Sequence, residues 1–173
     1  METRMSSVEL LLDEGAEAQV RAEWTALADA GLSSLARHDA ASNRPHVTLL
    51  ARVGLPALPL EQVELPVPLV PVPLVLGPPM LLGSGDRRVL ARAVLPSPAL
   101  LALQATIREA AGPADDEHFL PGRWLPHVTL ARRLRLVDIP TALALLGEPI
   151  DASAVAIRYW DPATATLTTL ASS

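Results

Sequence analysis

The chain has 173 residues, half of them hydrophobic and 19% charged, with a net charge of −5. That length and apolar content suit one domain with a buried core and exclude a disordered chain. The acidic balance excludes a protein that coats long nucleic acid by counterion release, though not a site for one nucleotide or one strand end. With no cysteine there are no disulfides, no thiolate chemistry and no cysteine zinc site. This suits a reducing cytoplasm, where the protein is expected to reside.

In chain order, "SSVELLLDE" (6–14) reads as a first strand, short and mostly apolar. The N-terminus carries no basic segment followed by a long apolar run, so no signal peptide is expected. "EAQVRAEWTALADAGL" (17–32) spaces Val20, Trp24, Leu27 and Ala28 as the apolar face of a helix, with Gly31 as its stop. "HVTLLARV" (46–53), bounded by Pro45 and Gly54, is a strand, and "PLEQVEL" (59–65) a candidate short helix.

The apolar stretch 66–83 is studded with prolines, which forbid a membrane-spanning helix. A soluble protein with no membrane partner is expected. Pro66 and Pro68 share one strand parity, Pro71 and Pro73 the other. The segment is therefore either an edge strand with its missing donors turned outward and a bulge near Leu69–Val70, or an extended polyproline connector.

"DRRVLARAVL" (86–95) is a further strand. "SPALLALQATIREAAG" (97–112) opens on serine and proline and closes on glycine, a well-signalled helix. "ADDEHFLPGRW" (114–124) is loop-like, "HVTLARRL" (127–134) a strand and "IPTALALLGE" (139–148) a short helix. "AVAIRYW" and "ATATLTTL" form a terminal hairpin around Asp161–Pro162. The expectation is one α+β domain over residues 1–173, built of two similar lobes whose antiparallel-rich sheets face a central cleft, with helices outside.

One word recurs. "PHVTL" stands at 45–49 and again at 126–130, and the two copies use two of the four histidines. On a strand, residues i and i+2 share a face, so His46 projects with Thr48 and His127 with Thr129. Val47, Leu49, Val128 and Leu130 then face the apolar layer behind. Two imidazoles and two hydroxyls around one space suit phosphodiester chemistry. One histidine takes a proton from water, the other gives one to the departing sugar oxygen, and the threonines hold the phosphoryl oxygens.

A single histidine on an apolar strand is more often a packed or surface residue. Two copies of a polar pair on one face are not explained by packing, which Val and Leu would serve better. Metal binding is the competing use, but Asp115, Asp116 and Glu117 form an acidic loop rather than a spaced ligand set. No metal and no cofactor are expected. Arg123 and Trp124, or Tyr159 and Trp160, could border the cleft and stack on a base. Trp24 reads as core, and His38 and His118, which lack a threonine two residues on, as surface.

The paired H-Φ-T/S-Φ motifs (Φ apolar), "PHVTLLARVG" and "LPHVTLAR", resemble those of the two-histidine (2H) phosphoesterase superfamily. The likeness is to its branch of 2′-5′ RNA ligases and RNA 2′,3′-cyclic phosphodiesterases, and it extends over most of the chain. It implies the bilobal fold, His46 and His127 as acid and base, and Thr48 and Thr129 on the phosphate. It also points to Arg132 as a substrate-binding arginine, whereas simple strand parity would put Arg133 on the His–Thr face. The chain departs from the family at Ala51, where many members carry an aromatic residue. The implied activity is metal-independent hydrolysis of a 2′,3′-cyclic phosphate on an RNA end or small nucleotide by a monomer, with 2′-5′ ligation as a second capacity. The alternative is a module that binds cyclic or terminal nucleotide phosphates without turnover.

Overall fold

A computed structural model describes residues 5–58 and 69–173. The candidate helix at 59–65 and the prolines at 66 and 68 lie outside them. Seven strands are described: β1 (Met5–Leu12), β2 (His46–Val53), β3 (Val72–Leu82), β4 (Arg87–Val94), β5 (His127–Arg135), β6 (Ile150–Asp161) and β7 (Thr166–Ser172). The helices are α1 (Glu14–Asp29), α2 (Pro98–Ala111) and the short α3 (Ile139–Ala144). None of the described helices is long and apolar enough to cross a membrane.

Every strand pairing is antiparallel, in the order β1-β2-β5-β4-β3-β6-β7. The long β6 pairs β3 through its first residues and β1 through the rest, so the sheet closes on itself. The expected two lobe sheets are thus one continuous ring of two halves. β2-β1-β6-β7 makes the first half and β5-β4-β3-β6 the second. The halves meet at β6 and at a single pairing between β2 and β5, Val47 opposite Val128.

The first helix begins earlier than the pattern suggests, because Asp13 caps it. Its carboxylate accepts a hydrogen bond from Ala16 N at 3.0 Å, and Glu14 and Glu17 occupy the first turn. It ends in a Schellman turn: Gly31, at φ +74°, donates to Ala28 O, and Leu32 N reaches Leu27 O at 2.9 Å. Ala16, Val20, Trp24 and Leu27 form the buried stripe. The second helix follows its sequence signals closely: Ser97 Oγ accepts from Leu100 N, Pro98 starts the helix and Gly112 caps it at φ +71°.

The proline-rich segment corrects the edge-strand expectation. β3 is an interior strand, paired to β6 over Val72–Leu76 and to β4 over Leu76–Leu82, with a register slip between Leu76 and Pro79. The parity argument survives locally. Val75 turns its carbonyl to the β4 side, where Leu95 N donates to it. Pro73 shares that parity, so its missing N–H faces a side where the β4 ladder has not yet begun.

A buried ion pair and a part-buried backbone contact cross between elements. Arg92 of β4 donates to Glu23 of α1 through Nε at 2.8 Å and through Nη2, and it also reaches the carbonyls of Gly77 and Gly147. This ties the helix of one half to the strands of the other. Asp13 likewise accepts from Ser153 N at 2.6 Å, fastening the start of α1 to β6.

Burial works to raise the Asp13 carboxyl, but the N–H groups of Ala16 and Ser153 outweigh it and hold the group below its ordinary value. A carboxyl lowered on folding contributes stability above the ordinary aspartate range, and that contribution vanishes as pH falls through the lowered value. Asp13→Ala should therefore cost about 1 kcal/mol at neutral pH. Melting curves should show the gap from wild type narrowing between neutral pH and a pH below the ordinary aspartate range. An equal gap at both pH values would count against this role.

Candidate active site

The pairing of Val47 with Val128 decides where the repeated word points. Both valines are fully buried, on the core side. Carried one residue each way, the antiparallel register sets His46 across from Thr129 and Thr48 across from His127. Cross-strand partners share a face. All four polar side chains therefore project to the front, each half-buried between fully buried neighbours. The histidines are thus diagonal to one another across this rung.

Each imidazole is tethered in the same way. His46 Nδ1 lies 2.7 Å from Arg44 O, and His127 Nδ1 lies 2.7 Å from Leu125 O. A carbonyl can only accept, so Nδ1 carries the proton and Nε2 is left facing the cleft. Each threonine carbonyl is held by a tryptophan from the opposite half. Trp24 Nε1 donates to Thr129 O and Trp124 Nε1 to Thr48 O, both at 3.1 Å. Trp24 is buried as expected; its indole N–H also serves the motif.

A bulge follows each motif. Val8 and Glu9 of β1 pair with Leu50 and Thr48, which leaves Leu49 as an extra residue on β2. Leu90 and Ala91 of β4 pair with Ala131 and Thr129, leaving Leu130 extra on β5. Both leucines and the residues after them are fully buried. The bulge shifts the parity, so the fifth residue after each histidine returns to the front. Those residues are Ala51 and Arg132, and both line the cleft beside His46. This resolves the choice between the arginines. Arg133, which simple alternation would favour, does not line that cleft; its backbone N donates to Ser33 Oγ.

The cleft has two compartments that share Thr48. The first, about 450 Å³, is lined by His46, Thr48, Arg132, the floor residues Glu9 and Arg158, and Trp160 at one side. The second, about 290 Å³ and more apolar, is bounded by His127, Leu82, Phe119, Trp124 and Leu125. Thr129 borders neither compartment directly, although its register puts it on the same face. Trp124, Arg123 and Trp160 border the cleft. Tyr159 does not: it is buried, with its hydroxyl donating to Leu55 O at 2.6 Å, so it is no stacking surface. His38 and His118 are exposed, as expected, yet each lines one compartment. Of the acidic loop, Asp116 is buried and paired with Arg52 at 2.8 Å.

Sequence reasoning missed the polar floor. Glu9 lies across from Thr48 on one side and from Arg158 on the other, so all three share the front face. Ser7 Oγ donates to Glu9 Oε1 at 2.7 Å and Arg158 Nε to Oε2 at 2.8 Å. Arg158 also reaches Ser42 O. The available signal was a lone charge inside each of two otherwise apolar strands, "SSVELLL" and "AVAIRYW". Burial alone would raise the Glu9 carboxyl. The charge of His46, the Ser7 hydroxyl and Arg158 together hold it below its ordinary value, hence ionised.

A family model described as the 2′-5′ RNA ligase superfamily matches residues 16–171. The chain belongs to the 2′-5′ RNA ligase superfamily. Membership supports a phosphoesterase or RNA-processing role. No curated protein matches the chain. Among solved structures, the chain is similar to Usb1 of Kluyveromyces marxianus, at 12% identity and a TM-score of 0.48, covering 96% of this chain and 97% of that one. Within the superfamily assignment, the duplicated motif is the feature around which the cleft is built.

Long-range nitrogen–proton NMR of the imidazoles tests the tethers. In their neutral forms His46 and His127 should both carry the proton on Nδ1. A dominant Nε2–H form at either ring would contradict the geometry.

Proposed function

We propose that the protein is a metal-independent phosphodiesterase that opens a 2′,3′-cyclic phosphate on an RNA end or a small nucleotide. The observation that carries this reading is the register at Val47 and Val128, which turns both His–Thr pairs to one face while the carbonyl tethers occupy each Nδ1. The phosphate sits at the junction of the two compartments, beside Thr48. One imidazole takes a proton from water as its oxygen bonds to phosphorus. The bond from phosphorus to one ribose oxygen breaks, and the other imidazole supplies the proton that oxygen needs. The product is a phosphomonoester, and one water is consumed.

Thr48 and Thr129 donate to the phosphoryl oxygens, and Arg132 supplies the compensating positive charge from the opposite half. Two imidazoles provide both proton transfers, so no metal-bound water is required. The same groups, with an RNA 5′-hydroxyl in place of water, would form a 2′-5′ linkage. Trp160 and Trp124 offer ring surfaces on either side for unpaired bases. The superfamily's name favours RNA as the polymer that carries the phosphate.

Turnover of a 2′,3′-cyclic nucleotide should fall by about 10²–10⁴-fold in His46→Ala or His127→Ala. Thr48→Ala, Thr129→Ala and Arg132→Ala should cost less, since each leaves the acid–base pair in place. Melting temperatures should barely move, because these side chains face an open cleft. A chelator should leave the rate unchanged. Loss of activity in chelator that a divalent ion restores would exclude this mechanism. Tight binding of the cyclic nucleotide with no turnover would identify a binding module instead.

A further inference from the structure

The two histidines have unlike surroundings, although their motifs are the same. On β4, the residues across from His127 and Thr129 are Ala93 and Ala91. On β1, the residue across from Thr48 is Glu9, whose Oε1 lies 3.7 Å from His46 Nε2. The carboxylate is nine-tenths buried and cannot swing away, because Ser7 and Arg158 hold its two oxygens. With His46 Nδ1–H already given to Arg44 O, a neutral ring would turn a lone pair towards an anionic carboxylate oxygen. A protonated ring turns an N–H towards it instead.

Resting on the proposed activity, we infer that Glu9 is a positioning residue that makes His46 the general acid and leaves His127 as the general base. In that assignment His127 Nε2 takes the proton of the attacking water, the new P–O bond forms, and the opposite P–O bond to ribose breaks. His46 Nε2–H then gives its proton to the departing ribose oxygen. The polar compartment beside His46 is accordingly the leaving-group side, and the apolar compartment beside His127 is the side of attack.

The other charges around His46 are accounted for. Arg158 of β6 sits on the far carboxylate oxygen, Oε2, rather than between Glu9 and the ring. Arg132 of β5 lines the same compartment and meets the phosphate when substrate is bound. Arg44 is turned to Glu17 of α1, with Nε 3.0 Å from Oε2. His38, from the loop before β2, is at the exposed rim, and His127 is the diagonal partner across the seam. Glu9 is therefore the carboxylate that faces the imidazole edge proposed to do the chemistry.

The test is Glu9→Gln, whose amide oxygen can still accept from Arg158, with Glu9→Asp as the charge-retaining control. The pH profile of kcat/KM on a 2′,3′-cyclic nucleotide has a basic limb set by the acid and an acidic limb set by the base. Glu9→Gln should move the basic limb to lower pH and leave the acidic limb in place. Glu9→Asp should return most of that shift. Movement of the acidic limb would make His46 the base, and no movement of either would leave Glu9 a packing residue; each overturns the inference. NMR titration of the ring nitrogens gives a readout that needs no turnover. Glu9→Gln should move the His46 curve and leave that of His127 alone. If wild type hydrolyses nothing while the His46 curve still moves, the activity fails and the Glu9–His46 coupling stands. If turnover is present and the curve does not move, the activity stands and this inference falls.

Discussion

The site depends on one backbone pairing, Val47 with Val128. It is the sole described rung between β2 and β5, and β6 is the other place where the two halves of the ring join. Because strand side chains alternate with a period of two, a slip of one residue at this rung would send a His–Thr pair into the core. The full burial of both valines opposes that slip, since it would set an imidazole and a hydroxyl against leucine. Apolar packing behind the sheet therefore fixes the polar geometry in front of it. The crossed tryptophans reinforce the seam, each half lending an indole N–H to the other half's threonine carbonyl.

The halves repeat one device and differ in what surrounds it. Repeated are the carbonyl tether behind each imidazole, the tryptophan on each threonine carbonyl, and the bulge one residue after each threonine. Different is the strand alongside: Leu11 and Glu9 of β1 lie across from His46 and Thr48, Ala93 and Ala91 of β4 across from His127 and Thr129. A symmetric frame holding unlike neighbours suits a reaction with two proton transfers of opposite sense. The frame makes the two imidazoles geometrically equivalent, and the neighbouring strands make them chemically distinct.

Much of this was legible in the sequence. The alternation of "HVTL" gave both strands and their faces, and Ser97–Pro98 with Gly112 gave the second helix to within a residue. What escaped depended on non-local pairing. No local signal marks Leu49 or Leu130 as bulged, because the extra residue exists only relative to β1 and β4. Alternation alone therefore misassigned the arginine face, and Arg132 reaches the cleft only through the bulge. Pro73 is tolerated inside the sheet because β3 changes partner halfway along, which its own residues do not announce. Tyr159 and Trp160 are neighbours on β6 and point opposite ways, so the sequence could offer the pair but not choose between them.

The buried charges on the floor of the first compartment bear on function through their cost. Glu9 and Arg158 are each more than nine-tenths buried. Removing two charges from water carries a desolvation penalty of several kcal/mol per ion, and apolar residues of similar volume often serve stability as well or better. The equivalent floor in the other half is alanine, so the fold itself does not require charge there. A second buried pair, Glu23 with Arg92, also satisfies Gly77 O, Gly147 O and Gly147 N, and so has a structural account in the backbone groups it serves. Glu9 has no such account. Its oxygens receive Ser7 and Arg158, and Oε1 also faces His46 Nε2. Among the described hydrogen bonds Glu9 serves no backbone group, which singles out the imidazole as the group its charge is suited to.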